Sequence, residues 1–105
     1  MNITGVILKR LREKNNKTLE ELVTDINEKY NMDFKINKIT KWESGKSSIK
    51  YEELKCLALY YNVTTDFLLG FDLEQFIDII DLRDDLEIIR MKNELKEKSS
   101  MLINK

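Results

Sequence analysis

Amide, ammonium and hydroxyl side chains crowd into one short stretch of the chain, at Asn37, Lys38, Thr40 and Lys41. An Asn amide can form two hydrogen bonds with adenine, a Lys ammonium can donate to guanine, and a Thr methyl can contact thymine. Within the same stretch Ile39 and Trp42 are three positions apart, so they share one face of a helix. We therefore expect a short helix over residues 36–44 that faces the protein with its apolar side and DNA with its polar side.

The surroundings of this helix support the same hypothesis. It is expected to be capped at both ends, and Gly45 ends it because glycine adopts the left-handed conformation without a steric penalty. From Lys35 to Lys50 the chain carries five lysines against one acid, Glu43. A phosphate backbone responds to such a local patch rather than to the total charge, which is −1. The alternative is that these lysines form an ordinary solvated surface.

The composition argues against catalysis and against a metal site. The chain has no His, so it lacks the commonest general base and a frequent zinc ligand. Its single cysteine, Cys56, lies among apolar residues and is interpreted as a core residue. Adjacent acids such as Glu52 and Glu53 point about 100° apart on a helix, so a shared proton or metal is not expected and both are interpreted as solvated. We therefore expect a binding protein that is not an enzyme and uses no metal or cofactor.

The spacing of apolar residues predicts an all-helical protein. Thr18 and Glu21 have the spacing of a capping box and predict the start of the second helix, with Tyr30 as a possible extension of its end. Asn16 and Asn62 are expected to end helices, since Asn tolerates the left-handed conformation. The five helices are expected over about residues 4–14, 18–26, 36–44, 51–61 and 64–70.

Beyond Gly70 the composition changes, and residues 71–105 hold six basic against nine acidic residues. Apolar residues recur there at spacings of three and four, which predicts helices with more apolar surface than a lone helix leaves in water. We expect this segment to dimerise, and the alternative is that it packs back on residues 1–70. The residues assigned to the dimer interface are Phe76, Ile79, Ile80, Leu82, Leu86 and Ile89.

Residues 5–70 resemble the Cro/C1-type helix–turn–helix family, also called the XRE family, which includes phage repressors. Three segments carry the resemblance: Leu-Lys-Arg-Leu-Arg at 8–12, Thr-Leu-Glu-Glu-Leu-Val at 18–23, and Ile-Thr-Lys-Trp-Glu-Ser-Gly-Lys at 39–46. From Gly45 to Leu69 the family pattern continues without a gap. The resemblance implies a five-helix, lambda-repressor-like DNA-binding domain in residues 1–70, followed by an added C-terminal helical segment in residues 71–105.

The chain departs from the family pattern just before the third helix. Between Ile26 and Phe34 it has about six residues more than is usual, and Asp33 stands where the family has a turn glycine. Either the second helix is longer than usual or the turn is a loop, and both alternatives change how the third helix is approached.

The resemblance also implies roles for individual residues. In this family the third helix enters the major groove and reads base edges, and Trp42 is expected in the core. By position, the base-reading residues are Asn37, Lys38, Thr40 and Lys41. Phosphate contacts are expected from Thr18, Lys35, Lys46, Ser47 and Lys50. An ion pair between Arg12 and Glu43 is expected to tie the first helix to the end of the third.

These roles predict a sequence-specific regulator of transcription, a repressor of phage or mobile-element type that binds a double-stranded operator as a homodimer. The alternative is an interaction protein, such as an antitoxin or a partner of an anti-repressor or toxin, which acts through the acidic C-terminal helix. No apolar run approaches the roughly 18 residues of a membrane span, and no signal peptide is recognisable. We therefore expect a cytoplasmic protein of a bacterium or phage, associated with the nucleoid when bound to DNA.

Overall fold

The computed structural model describes residues 2–80, 90 and 93, and this part of the chain contains no strand. Its helices are α1 (Ile3–Lys14), α2 (Leu19–Tyr30), α3 (Ile36–Glu43), α4 (Tyr51–Tyr61), α5 (Thr65–Leu68) and α6 (Leu73–Ile80). The all-helical fold is confirmed, and so are the five helices expected before Gly70. The second helix includes the extension to Tyr30.

Side-chain caps decide where the first two helices begin. Asn2 Oδ1 accepts the Gly5 N–H at 2.6 Å and starts α1. At α2 the Thr18 hydroxyl accepts the Glu21 N–H at 3.1 Å, while the Glu21 carboxylate accepts the Thr18 N–H at 3.0 Å. This reciprocal pair is the predicted capping box, and it satisfies two N–H groups that the end of a helix leaves without a partner.

Left-handed residues follow five of the helices and turn the chain sharply after each one. Asn and Gly are the residues that adopt this conformation with the least strain, which explains why a chain without proline can still make short connections. The helix ends expected near residues 16, 45, 62 and 70 are confirmed. The left-handed residues are Asn16 (φ 55°), Asn31 (φ 54°), Gly45 (φ 77°), Asn62 (φ 55°) and Gly70 (φ 91°).

The hydrophobic core lies around α1, which packs against α3, α5 and α6. Trp42 of α3 is buried in this core, and its ring meets Phe34 edge-on with the ring centroids 5.3 Å apart. The prediction that Trp42 is a core residue is therefore confirmed. The other large side chains without appreciable exposure include Ile7, Leu22, Ile26, Leu57, Phe67, Leu68 and Phe76.

The apolar face of α6 belongs to this same core. Phe76 has no exposed surface, and its ring meets Phe67 edge-on at 5.9 Å, while Leu73 and Ile77 are buried beside it. The assignment of Phe76 to a dimer interface is therefore wrong, because packing within the chain already covers this side chain. The division of the chain after residue 70 stays a prediction. The side chains of Ile79 and Ile80, together with Leu82, Leu86 and Ile89, lie outside the described part of the chain.

Candidate nucleic-acid interface

The exposed side of α3 carries Asn37, Thr40 and Lys41, whereas Ile39 and Trp42 are each only 2% exposed on the opposite side. Helix geometry explains this division, because residues four apart differ by only about 40° around the axis. Three of the four residues predicted to read bases therefore share one outward face.

Two residues that the sequence analysis did not assign extend this face. Ile36 opens α3 and is 38% exposed, and Ser44 follows the last residue of the helix in an exposed position. The Thr40 hydroxyl donates to the Ile36 carbonyl at 3.0 Å, and the Ser44 hydroxyl donates to the Lys41 carbonyl at 3.3 Å. Helical spacing could have found Ser44, since it lies two turns after Asn37.

The two ends of α3 differ in how they are capped. At the N-terminus Lys35 is the N-cap residue and its side chain makes no capping hydrogen bond, so the expectation of caps at both ends is wrong there. At the C-terminus the Gly45 N–H donates to the Trp42 carbonyl at 3.2 Å, and the Lys46 N–H donates to the Lys41 carbonyl at 2.9 Å. These two bonds form a Schellman motif, which directs the chain at Lys46 back along the helix end.

The residues predicted to contact phosphate lie in the three connections that precede α2, α3 and α4. Lys35 pairs with Asp33 at 3.1 Å, and both side chains are largely exposed, so this pair is weakly held. Lys41 and Lys46 are exposed and have no ion-pair partner among the described residues. Exposed positions are also found for Thr18 and Lys50, and Ser47 is partly buried.

Lys38 differs from the other residues predicted to read bases. Its ammonium pairs with the Glu53 carboxylate of α4 and lies 5.8 Å from the centroids of both the Phe34 and the Trp42 rings. Glu53 is only 5% exposed, so the interpretation of this acid as solvated is wrong. Burial raises the pKa of Glu53, but hydrogen bonds from Lys38 and from the Lys50 N–H outweigh burial, and the pKa ends below its ordinary value.

Arg12 and Glu43 join α1 to the end of α3. Arg12 Nε donates to one Glu43 oxygen at 2.8 Å and Nη2 donates to the other at 3.0 Å, which is a bidentate geometry. Arg12 Nη1 donates to the Lys17 carbonyl at 3.0 Å, so the guanidinium also holds the connection into α2. The Glu43 carboxylate raises the pKa of Arg12, which keeps the guanidinium charged.

The longer connection before α3 is held by one side chain. α2 runs on to Tyr30, Asn31 turns the chain, and residues 32–35 then lead to α3 without regular secondary structure, so the second helix is longer and the turn is also a loop. Asn27 Nδ2 donates to the Phe34 carbonyl at 3.0 Å, and Asn27 Oδ1 accepts the Phe34 N–H at 2.8 Å. This pair fixes Phe34 against Trp42 and thereby fixes the approach of α3.

Replacing Asn27 with Ala is expected to destabilise the fold by about 2 kcal/mol, because two hydrogen bonds to the backbone are lost at about 1 kcal/mol each. Denaturant unfolding followed by far-ultraviolet circular dichroism measures this change. Asn37→Ala is the matched control, since Asn37 is exposed on α3, and it should change the free energy of unfolding by less than about 0.5 kcal/mol. Equal stability of the two variants would contradict the role of Asn27.

A second polar cluster, which the sequence analysis missed, ties α2 to α4. The Tyr60 hydroxyl donates to Asp25 at 2.9 Å, and the Lys17 ammonium pairs with the same carboxylate at 3.0 Å. Burial and the Asp25 carboxylate raise the pKa of Tyr60 to about 12. No local signal could have found this contact, because the two helices are brought together only by folding.

Other kinds of site find no support in the described part of the chain. Within it, no group of three or more His, Cys, Asp or Glu residues is placed to hold a metal ion. Cys56 is buried, and burial raises the pKa of its thiol, which disfavours the reactive thiolate. Among the described helices, none is both long enough and apolar enough to cross a membrane.

Comparison with known protein families supports the same assignment of fold. A sequence model of the helix-turn-helix domain family matches residues 5–76, from the first turn of α1 through the first half of α6. No curated protein and no solved structure matches the chain. The matched range contains the Arg12–Glu43 ion pair and the exposed face of α3, and proteins of this family are typically DNA-binding regulators rather than enzymes. The chain belongs to the helix-turn-helix domain family, of the Cro/C1 (XRE) type.

Proposed function

We propose that this protein is a sequence-specific regulator of transcription, a repressor of phage or mobile-element type that acts on the nucleoid in the cytoplasm. The observation that carries the proposal is the exposed polar face formed by Asn37, Thr40 and Lys41 on α3. Buried residues of the same helix and the Arg12–Glu43 ion pair hold this face in one orientation. A rigidly held polar helix face is what reading the major groove requires.

The residues of this face have complementary chemistry for base edges. The Asn37 amide oxygen can accept from adenine N6 while its NH2 donates to N7, and Lys41 can donate to guanine O6 and N7. Thr40 uses its hydroxyl on the Ile36 carbonyl, which leaves its methyl for the methyl group of thymine. Phosphate contacts from Lys35, Lys46, Ser47, Lys50 and Thr18 would set the position of the helix on the duplex.

Binding as a homodimer would supply the specificity that one small domain lacks. Two copies would place their α3 helices in successive major grooves, about 34 Å apart on one face of the duplex. Phe71 is 77% exposed and Leu69 is 43% exposed where the second segment begins, which supports an apolar contact with a second copy near this point. Light scattering of the full chain across a dilution series tests the dimer, which is rejected if the mass stays that of one copy.

Selection of duplexes from a random-sequence pool is the direct test of function. We expect enrichment of a two-fold symmetric site, and we expect a gel shift with DNA from upstream of the protein's own coding sequence. The affinity should fall as salt rises, because bound lysines displace counterions from the phosphates. Absence of enrichment together with absence of a shift at low salt would reject the proposal in favour of a protein-interaction role.

Lys46→Ala is expected to weaken binding to all duplexes to the same degree. Lys46 lies beside the C-terminus of α3 and has no ion-pair partner in the described part of the chain, so it is available to a phosphate. The slope of log affinity against log salt should become shallower by about 1. Lys14→Ala, at the exposed end of α1, is the matched control and should leave the slope unchanged. An unchanged slope for Lys46→Ala would contradict the assignment of Lys46 to a phosphate contact.

A further inference from the structure

The contact between Lys38 and Glu53 separates Lys38 from the other polar residues of α3. The Lys38 side chain is 42% exposed, whereas that of Glu53 is 7% exposed, so the ammonium covers the carboxylate from the outside. The same ammonium lies over the rings of Phe34 and Trp42, and the electron-rich faces of these rings attract the positive charge. Lys38 therefore has three partners within the protein, one on α4, one on the connection before α3 and one on α3 itself.

Glu53 depends on this lysine. One Glu53 oxygen accepts the Lys50 N–H at 2.9 Å at the start of α4, and the other pairs with Lys38. A carboxylate buried to this degree is stable in its charged form only when it is paired. If Lys38 moved away to contact a base or a phosphate, the carboxylate would lose its cation inside the protein.

We propose that Lys38 is a positioning residue that fixes α3 against α4 through Glu53, and that it does not read DNA. Base reading then belongs to the outward face that contains Asn37, Thr40 and Lys41. This inference rests on the proposed DNA-binding function. It replaces the role that family position implies for Lys38, because in this chain the buried carboxylate of Glu53 holds the ammonium against the protein surface.

The test uses full-length variants and the duplex that the wild-type protein selects from a random pool. Lys38→Met should lower the melting temperature by about 10 °C, since it leaves Glu53 buried without its cation. The double variant Lys38→Met/Glu53→Met replaces the pair by two apolar side chains, so it should recover most of the melting temperature and bind the duplex within about threefold of wild type. Recovery of binding without any lysine at position 38 is the result that a base-reading residue cannot give.

Salt dependence and base preference provide independent readouts. Between about 50 and 200 mM salt, Lys38→Arg and the double variant should keep the wild-type slope and the wild-type preference at every base pair. Lys41→Met is the matched control and should keep the wild-type melting temperature while losing preference or slope. A changed preference at one base pair in Lys38→Arg, or a double variant as stable as wild type that still binds weakly, would overturn the inference.

Failure of the proposed DNA-binding function can be distinguished from failure of the role proposed for Lys38. If the wild-type protein selects no duplex, the DNA-binding function fails. The melting temperatures of Lys38→Met, Glu53→Met and the double variant would then still decide whether Lys38 and Glu53 stabilise each other. A loss in the double variant as large as the sum of the two single losses would mean that they do not.

Discussion

Gly5→Ala is expected to lower the melting temperature by about 15 °C and the free energy of unfolding by about 3 kcal/mol. Gly5 is buried in α1, where this helix crosses the C-terminal end of α3. A Cβ at this position would lie 2.5 Å from the Trp42 carbonyl oxygen and 2.8 Å from the Glu43 carbonyl oxygen. Both atoms are backbone, so the clash is relieved only if α3 moves away from α1.

The sign of this result separates packing from helix propensity. In the interior of an unpacked helix, Ala is more favourable than Gly by about 1 kcal/mol, so propensity alone predicts that Gly5→Ala raises the melting temperature. Lys9→Ala, at an exposed position of the same helix, is the control and should have little effect. A rise in melting temperature for Gly5→Ala would show that α1 and α3 do not approach as closely as the structure has them.

The expected displacement of α3 also has a functional readout. Because the outward face of α3 is fixed by the contact with α1, folded Gly5→Ala protein should lose affinity for the selected duplex even at temperatures well below its melting point. Affinity measured at low temperature, where the variant remains folded, checks this consequence. An unchanged affinity would mean that the groove contacts tolerate a shifted helix.

Glu43→Gln is expected to destabilise the protein by about 3–5 kcal/mol, because removing one partner strands a charge in a site with little solvent. The Arg12 and Glu43 side chains are only 14% and 8% exposed, and two nitrogens of the guanidinium donate to the two carboxylate oxygens. Glutamine has nearly the same shape, but its NH2 group faces an Arg N–H where a carboxylate oxygen accepted a hydrogen bond. The loss therefore reflects charge and hydrogen bonding rather than volume.

An exposed ion pair on α1 serves as the matched control for this measurement. Arg10 and Glu13 are paired at 3.5 Å, with side chains 27% and 46% exposed. Glu13→Gln removes the same charge by the same substitution, and it should change the stability by less than about 1 kcal/mol. Unfolding in guanidinium chloride compares the two variants. If Glu43→Gln and Glu13→Gln had equal stability, the Arg12–Glu43 pair would stabilise the fold no more than a surface ion pair does.

A double substitution distinguishes the cost of leaving one charge unpaired from the net stabilisation that the ion pair provides. Arg12→Met/Glu43→Leu removes both charges, so it should be clearly more stable than either single variant. Arg12 also donates to the Lys17 carbonyl, and loss of this hydrogen bond should leave the double variant about 1 kcal/mol less stable than wild type. A double variant as unstable as the sum of the singles would contradict the stranded-charge explanation.

Features that depend on neighbours in the sequence were predicted well. The Thr18–Glu21 capping box and the left-handed helix ends at Asn16, Gly45 and Asn62 involve residues only a few positions apart. The two faces of α3 follow from the 100° rotation between successive helical residues. The same geometry places Lys38 beside Trp42 rather than beside Asn37, a signal that was available in the sequence.

Features that depend on distant contacts were not predictable in this way. The Arg12–Glu43 pair was expected only because the sequence resembles a known family, and no local pattern indicates it. The pairing of Lys38 with Glu53 and the bonds of Asn27 to Phe34 join residues whose distance in space is set by the packing of helices. The close approach at Gly5 was not predicted, although a single glycine within a helical pattern can indicate such a contact.

By itself, the sequence determined the helices, their ends and the outward face of α3, because backbone hydrogen bonding and helical periodicity act over a few residues. Only the tertiary structure decided which polar residues are available to DNA. Glu53 of α4 is buried by packing, and its carboxylate pairs with the Lys38 ammonium. Packing of α6 on the core covers Phe76 within the chain. The physical reason is that burial depends on which helices pack together. Whether a charged or aromatic side chain is exposed to a partner or buried in the core therefore depends on residues distant in the sequence.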